Sequence, residues 1–381
     1  MGALRFRIWF GERAASADEL ARVEDIEVTQ EMDAFWEARV RMFLCLDANG
    51  TWLHWPGEGG AAFSRVRVEL DLGSGRFVAL IDGPLVSIDA ALDAQPGRSA
   101  ATMVVRDDSA FLNRDEEVEP PFEHRRYSDI ATELFGRFAQ IASLRVDATT
   151  ATPETTTRRG TVLQFLRELG TASDRHAYVL PGDARGASVG CFLADPEGAA
   201  GLPPLRMIGD GRNLADASIT EDPDGAEVTQ ARVLRVDDQG VTTFETSAAD
   251  LGLMRALPAV PADLTPRRLL HPADNTRADP EAAAAARARQ SGYVYRLSAR
   301  VIPGCYEAVL QPYLKVRLDA GETPYSGEYL ITRVVHRITP SLYSQQIEAK
   351  ADSLTEVSGA RVAEALGGGL KLSVAASVGV F

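Results

Sequence analysis

Apolar and polar residues alternate along the first third of the chain. The clearest run is Phe63–Leu70, in which Val66, Val68 and Leu70 are separated by charged residues. A period of two places one face of a strand on a core and the other in solvent. Many short strands between Gly, Pro and Asp turns predict a barrel or a sandwich. The predicted strands are 5–10, 23–30, 35–46, 63–70, 77–81 and 101–105.

The period becomes helical after Pro120–Pro121, which marks a boundary. Ser128–Asp129 predicts a helix start, because the apolar residues that follow recur at helical spacing. A second helix is predicted over Thr161–Ala172. The Thr-rich stretch between them, 144–160, is predicted to be extended or loop. Two short runs, 178–180 and 189–193, predict a small hairpin.

Residues 195–290 carry the weakest pattern. Short strands are predicted over 226–236 and 241–246, and the Pro- and Asp-rich stretch 258–280 is typical of a linker or a long surface loop. A helix is predicted over 280–288, with proline and glutamate at its front. The last third returns to strands, at 293–301, 313–319, 329–338 and 342–351.

These elements predict a mainly β fold with an α+β insert. The length of 381 residues favours more than one domain, since a single core rarely supports so long a chain. The predicted regions are an N-terminal β-barrel (1–118), an α+β insert (119–195), an irregular and β connecting region that ends in a helix (196–290), a C-terminal β-barrel (291–356) and a tail (357–381).

The chain is acidic, with a formal net charge of −14. An acidic chain repels phosphate backbones, so direct nucleic-acid binding is not expected. The basic residues are almost all arginine, and the lysines are only Lys315, Lys350 and Lys371. A GC-rich genome explains this preference most simply; fixed ion pairs at interfaces are the alternative.

The three cysteines, Cys45, Cys191 and Cys305, lie far apart and form no CxxC pair. This spacing argues against a disulfide framework or a zinc site, and unpaired thiols fit a reducing cytoplasm. Cys45 lies in an apolar run and is expected to pack in the core. No apolar stretch reaches the roughly 18 residues of a membrane span, so we expect no membrane insertion by the chain itself.

No arrangement of polar residues predicts catalysis. His336 falls in an alternating strand and is interpreted as structural, and the five histidines include no HExxH pair. The sequence also lacks a GxSxG elbow and a phosphate-binding loop. We therefore expect no enzyme activity, no cofactor and no metal. Three acidic pairs are interpreted as solvated turn charges, because adjacent carboxylates rarely face each other across a substrate: Asp107–Asp108, Glu116–Glu117 and Asp237–Asp238.

Three stretches carry a resemblance to a known family. Leu80–Val86 with Thr102–Ser109 resembles a strand that enters a barrel crossover and a strand that ends in an Arg-Asp turn. Tyr127–Ile130 with Thr161–Leu169 resembles a pair of insert helices, and Tyr325–Tyr343 resembles a final barrel hairpin. In this order the stretches resemble the phage late-control gene D family, which includes contractile-tail baseplate hubs and the hub portion of VgrG-type spikes. The resemblance implies two tube-like β-barrels and a small α+β domain.

The resemblance also implies a function. Such a hub is a structural homotrimer that adapts a sixfold tail tube above it to a threefold spike below it, with baseplate wedge proteins around it. It is assembled in the bacterial cytoplasm as part of a phage, bacteriocin or injection-system particle. No spike-like repeat follows Gly367, so a separate spike chain is expected. A tail-associated cell-wall hydrolase and a host-binding tail protein are the alternatives.

The last residues form an apolar segment after Gly367–Gly369, with Lys371 its one charged side chain. A free apolar segment in water would risk aggregation by strand pairing. We therefore expect it to bind a partner, the spike first and a neighbouring hub subunit second. The candidate partner-binding residues are Leu370, Leu372, Val374, Val378, Val380 and Phe381.

Overall fold

The computed structural model describes residues 5–53, 62–95, 97–199, 201–222, 230–237, 240–246, 267–269 and 280–352. The predicted mainly β fold is confirmed, since most elements are strands of large antiparallel sheets. The first elements are β1 (Arg5–Phe10), β2 (Arg13–Ala14), α1 (Ala17–Ala21), β3 (Val23–Glu31), β4 (Glu37–Phe43), β5 (Cys45–Leu46), β6 (Trp52–Leu53), β7 (Arg65–Asp71), β8 (Val78–Ala91), β9 (Ala100–Arg106) and α2 (Ser109–Leu112).

The insert packs two helices on a small sheet. Thr161 caps the second helix through a capping box with Gln164, which confirms the predicted start. The first helix begins at Tyr127 rather than at Ser128, and its cap residue Arg126 makes no side-chain capping bond. The elements are β10 (Phe122–Glu123), α3 (Tyr127–Gly136), β11 (Ile141–Val146), β12 (Thr155–Thr156), α4 (Val162–Ala172), β13 (His176–Leu180) and β14 (Ser188–Leu193).

The predicted hairpin of the insert is confirmed by the antiparallel pairing of β13 with β14. Sequence analysis missed its third strand, β11, which runs parallel to β14 and completes the sheet. Gly190 lies under α3, where a Cβ atom would come within 2.8 Å of the Phe135 ring. A glycine at this position lets the helix lie directly on the sheet.

The remaining elements form the C-terminal half. The predicted helix at 280–288 is confirmed and extends to Ser291. Sequence analysis missed the eight-residue strand β16. The elements are β15 (Leu205–Arg206), β16 (Leu214–Glu221), β17 (Gln230–Asp237), β18 (Gly240–Thr246), β19 (Arg267–Leu269), α5 (Pro280–Ser291), β20 (Tyr295–Val301), β21 (Lys315–Asp319), β22 (Gly327–Ile338) and β23 (Tyr343–Ala351).

One continuous sheet joins the two ends of the chain. Its order runs β16-β20-β23-β22-β3-β4-β9-β8-β7-β1-β2. The joint is the antiparallel pair of β3 and β22, in which Ile26 lies opposite Ile338 and Glu31 lies opposite Arg333. We call this pair the seam. Because of the seam, the first and last thirds of the chain share a sheet.

Two apolar cores lie against this sheet. The first collects the buried faces of β1, β3, β4, β7, β8 and β9, and the second collects those of β16 and β20 to β23. Ile338 and Tyr343 belong to the first core although they lie in the last third, so the seam hairpin contributes to both. Gly83 of β8 lies where the strand crosses Arg106, and a Cβ atom there would come within 2.0 Å of the Arg106 carbonyl oxygen.

Two predictions from the sequence, which concern whether side chains are buried, are wrong. Cys45 is exposed rather than packed in the core, because it lies in the short β5–β6 hairpin beyond the end of β4. The Asp107–Asp108 pair is buried rather than solvated. The pair Glu116–Glu117 is exposed, as expected. The side chains of Asp237–Asp238 and the apolar tail lie outside the described residues.

Candidate functional site at the seam and the insert

A buried polar chain crosses the seam. His336 of β22 is fully buried and lies 2.8 Å from the Tyr343 hydroxyl through Nδ1 and 3.1 Å from Gln30 Oε1 through Nε2. The Gln30 amide nitrogen donates to the Leu80 carbonyl oxygen at 2.7 Å, so its oxygen faces the histidine. We therefore assign the Nε2–H tautomer, with Tyr343 donating to Nδ1.

This geometry gives His336 a structural position. Burial lowers its pKa to about 3, so the ring is neutral at ordinary pH. Its two ring nitrogens are both engaged by side chains within the protein. A substrate would have to displace one of these partners to reach it.

A second histidine lies between two carboxylates where the insert meets the seam. His176, at the start of β13, lies 3.2 Å from Asp33 through Nδ1 and 3.1 Å from Asp195 through Nε2. Asp33 lies in the turn from β3 to β4, and Asp195 follows β14. Tyr293, just before β20, donates its hydroxyl to Asp195 at 2.6 Å. We call His176, Asp33, Asp195 and Tyr293 the His176 cluster.

The electrostatics of the cluster favour the charged histidine. Burial alone would lower the pKa of His176, but the hydrogen bonds and charges of Asp195 and Asp33 outweigh it and raise the pKa to about 9. Burial would likewise raise the pKa of Asp195, yet His176 brings it down to about 2. Partial desolvation of the half-exposed Asp33 side chain would raise its pKa, but the hydrogen bond and charge of His176 lower it.

Strained backbone gathers around the His176 cluster. Five non-glycine residues in the described part of the chain have a positive φ, and three of them are Asp33 (57°), Asp174 (56°) and Tyr313 (64°). The Asp33 amide donates to the Tyr313 hydroxyl at 2.8 Å, and Tyr313 stacks on Tyr178 of β13 with centroids 3.6 Å apart. Such conformations persist only where the surrounding structure holds them.

The opposite end of the insert is held by two arginines of β7. The side chain of Arg67 is 4% exposed, and it bonds the Asp82 carboxylate at 2.9 Å and the Gly182 carbonyl oxygen at 2.8 Å. Arg65 bonds Asp82 and Asp108, each at 2.7 Å. Arg67 also donates to the Ala184 carbonyl oxygen, next to its bond with Gly182. The Gly186 amide donates to the Asp82 carboxylate and completes the contact. We call Arg65, Arg67, Asp82 and Asp108 the arginine clamp.

Asp107 and Asp108 are both buried, but their hydrogen-bond partners differ. Asp108 accepts hydrogen bonds from Arg65 and from the Ser188 hydroxyl of the insert at 2.7 Å. Asp107 faces no cation and accepts from the Trp36 amide at 2.6 Å and from Ser109. Burial raises the pKa of Asp107 to about 6, and the hydrogen bonds of Ser109 and Trp36 oppose that rise. Asp107 therefore orders the chain between β9 and α2.

None of these groups forms a catalytic arrangement. The His176 ring nitrogens both face carboxylates, and within the described residues no serine hydroxyl or cysteine thiol is paired with this ring. Within the described residues no group of three or more His, Cys, Asp or Glu could hold a metal ion. No described helix is long and apolar enough to cross a bilayer. What the geometry does provide is an attachment of the insert to the joined sheet at two places, the His176 cluster and the arginine clamp.

The solvent-facing side of the seam is polar and ion-paired. Arginines and carboxylates of the seam strands and their neighbours form ion pairs on this side, and one of these pairs, Arg337–Glu27, crosses the seam itself. Exposed pairs of this kind contribute little stability, about 0–1 kcal/mol each. The pairs are Arg41–Glu24, Arg39–Asp89, Arg333–Glu348 and Arg337–Glu27.

The fold is similar to that of solved phage tail proteins and of a type VI secretion component. A tail protein from Neisseria meningitidis MC58 superposes with a TM-score of 0.61 at 14% identity, covering 92% of this chain and 97% of that one. The 43 kDa tail protein of prophage MuSo2 from Shewanella oneidensis gives 0.65 at 14% identity, covering 93% and 100%. No protein-family model matches the chain, and no curated protein matches its sequence.

A third structure extends the likeness to secretion systems. The E. coli c3393 protein is described as a component of the type VI secretion system, structurally similar to the T4 bacteriophage tail proteins gp27 and gp5. It superposes with a TM-score of 0.52 at 10% identity, covering 88% of this chain and 74% of that one. Identities this low show the shared fold alone.

Proposed function

We propose that this chain is the structural baseplate hub of a contractile phage-tail-like particle or injection system. In this role it is a homotrimer that adapts a sixfold tail tube to a threefold spike, and it needs no catalyst and no cofactor. Two independent supports are the fold shared with tail proteins and the resemblance of three sequence stretches to the late-control family. The proposal keeps the five-region division given above.

The main support for the proposal is the arrangement of strands in the joined sheet. On one side of the seam lie β3, β4, β9 and β8, and on the other lie β22, β23, β20 and β16. In the run from β16 to β8 each half of the chain therefore contributes four strands, while β7, β1 and β2 continue the sheet from the first part of β8, and three copies would present six such four-strand units. Six units match the symmetry of a sixfold ring above the hub, and three copies match the symmetry of a threefold partner below it.

The directions of the strands suit ring closure. Every neighbouring pair from β16 to β8 is antiparallel. Because the run has an even number of strands, its two edges point in opposite directions, and edge-to-edge pairing of copies stays antiparallel. Within the described residues β16 pairs only with β20, and 86–91 of β8 pairs only with β9. Open edges of this kind are templates for strand addition.

The partners follow from this arrangement. The tail tube would lie above the ring, the spike below it, and baseplate wedge proteins around it. The apolar residues Leu370, Leu372, Val374, Val378, Val380 and Phe381 are proposed to bind the spike, or a neighbouring hub subunit in second place. Assembly would take place in the bacterial cytoplasm before the particle leaves the cell.

The test uses a proline at the open edge. The Asp222 amide donates to Val294, so the Thr220 amide also faces β20, whereas the Ala217 amide faces the open edge. Ala217→Pro should leave the fold intact, because prolines are tolerated on outer edges. It should prevent the chain from joining particles, as judged by electron microscopy of particles assembled with the variant as the only hub copy.

Thr220→Pro is the matched control and should lower the melting temperature of the isolated chain, since it removes an internal hydrogen bond. A reconstruction of the wild-type particle should contain three copies at the tip of the tube. Six copies or one copy there, or normal assembly with Ala217→Pro, would contradict the proposal.

A further inference from the structure

The insert is attached to the rest of the molecule on two sides by different chemistry. One side is the arginine clamp, in which loop 181–188 lies on the outer face of β7 and β8. The other side is the His176 cluster, which faces the β3–β4 turn at the seam and Tyr293 before β20. The clamp contains no histidine, whereas the cluster depends on one.

We propose that the His176 cluster is a latch and the arginine clamp a hinge, so that the insert can swing away from the seam without leaving the molecule and without either sheet unfolding. The imidazolium holds the closed position by pairing with Asp33 of the N-terminal half and with Asp195 of the insert itself, whose carboxylate accepts a hydrogen bond from Tyr293 of the C-terminal half. The proposal concerns this chain alone and stands whether or not the hub function holds.

His176 is the cation that directly faces the carboxylates of the latch. Asp33 from the β3–β4 turn and Asp195 after β14 face the ring directly. The two phenols nearest the cluster are Tyr313 and Tyr293, and burial raises the pKa of both. Two more distant cations, Lys350 of β23 and Arg167 of α4, lower the pKa of the carboxylates. Two further carboxylates, Asp174 and Asp352, raise the pKa of Tyr293.

Those other cations are poor substitutes for the imidazolium. The Lys350 ammonium lies over the Tyr293 ring at 4.1 Å from its centroid, and it forms no salt bridge with a carboxylate in the described part of the chain. Arg167 bonds the Ala34 carbonyl oxygen at 3.1 Å instead of either aspartate. Removal of the His176 proton would therefore leave the Asp195 carboxylate, whose side chain is 20% exposed, and the Asp33 carboxylate, whose side chain is 51% exposed, facing a neutral ring without the charge pairing that favours the closed position.

Packing at the latch is limited. The apolar contact includes Tyr178, Cys191 and Tyr313, with a few partly buried neighbours, and Phe35 of the β3–β4 turn, which packs against the insert core. Asp33 and Tyr313 both hold left-handed backbone, and each would relax if the contact opened. The insert keeps its own core of two helices on a sheet, so it can move as one body.

The experiment is amide hydrogen exchange on the full chain, corrected for the intrinsic effect of pH with unfolded peptides. In the wild type, opening at residues 32–36 and 174–180 should increase up to about fivefold between pH 7 and pH 10, since the His176–Asp33 pair that crosses the contact is partly exposed to solvent. Loop 182–188 and the seam strands should not change.

His176→Gln should show the open pattern already at pH 7 and lose the pH response. His124→Asn is the matched control, because His124 is exposed on the same insert and asparagine suits its left-handed backbone. Equal loosening of latch and hinge would overturn the proposal, as would a wild-type latch that is insensitive to pH. If the glutamine variant does not fold, the wild-type pH series alone decides between these outcomes.

Discussion

Gln30 of β3 and His336 of β22 are hydrogen-bonded at 3.1 Å, across the strand pair that joins the two halves of the sheet. Both side chains are fully buried within the first core. A buried polar pair fixes the register of a strand pair, since a slip by one residue would place these groups without partners. The seam is therefore specified by hydrogen bonding as well as by apolar packing.

Replacing Gln30 by methionine should destabilise the protein by about 3 kcal/mol, because the His336 Nε2–H and the Leu80 carbonyl oxygen both lose their partner. The measurement is urea denaturation. Gln346→Met on the exposed side of β23 is the control and should change stability by less than about 0.5 kcal/mol. Adding His336→Leu to the first variant should recover part of the loss; full additivity would argue against the pair.

Gly83→Ala should prevent folding or cost more than about 4 kcal/mol. Its Cβ would lie 2.0 Å from the Arg106 carbonyl oxygen, and backbone atoms of two paired strands cannot move apart cheaply. Gly136→Ala is the contrasting substitution, since no atom lies within 4 Å of its Cβ and it closes α3. That variant should gain up to about 1 kcal/mol. Equal melting temperatures for the two variants would contradict this account.

The strands of the sheet could be predicted because each has one buried and one solvent face. β20 and β23 alternate almost perfectly between buried and exposed residues. β16 was missed because it is an edge strand whose sequence, Leu214–Glu221, has few large apolar residues to mark a buried face. Edge strands lack half of the packing that imposes a pattern.

The site could not be predicted, because its partners are distant in sequence. His176 lies 143 residues from Asp33, and no local motif links them. Asp108 and Arg65 are separated by 43 residues, so the pair of aspartates at 107–108 gave no sign of a buried cation nearby. Local sequence reports burial through periodicity, but a charge that is neutralised by a remote residue leaves no such signal.

Arg67→Met should destabilise the protein by about 3–5 kcal/mol, because it leaves the buried Asp82 carboxylate and the Gly182 carbonyl oxygen without this partner. Arg337→Met is the control: it removes an ion pair whose arginine is 60% exposed, and it should cost less than about 1 kcal/mol. Chemical denaturation of both variants at one pH compares them. Similar losses would mean that burial of the clamp does not matter.

Asp107 should make the protein more stable at mildly acidic pH than at neutral pH, relative to a variant without it. Burial raises its pKa from 3.8 to about 6, so the folded protein holds the proton more tightly than the unfolded chain does. This contribution is complete below pH 3.8 and is lost as the pH rises through about 6. The difference in unfolding free energy between wild type and Asp107→Asn should therefore fall by up to about 3 kcal/mol between pH 4 and pH 7.5. Asp108 titrates in both proteins, so its own effect largely cancels in that difference. The exposed Glu117→Gln variant should follow the wild type at both pH values. A difference that stays constant with pH, or that rises, would show that Asp107 is ionised in the folded protein throughout this range.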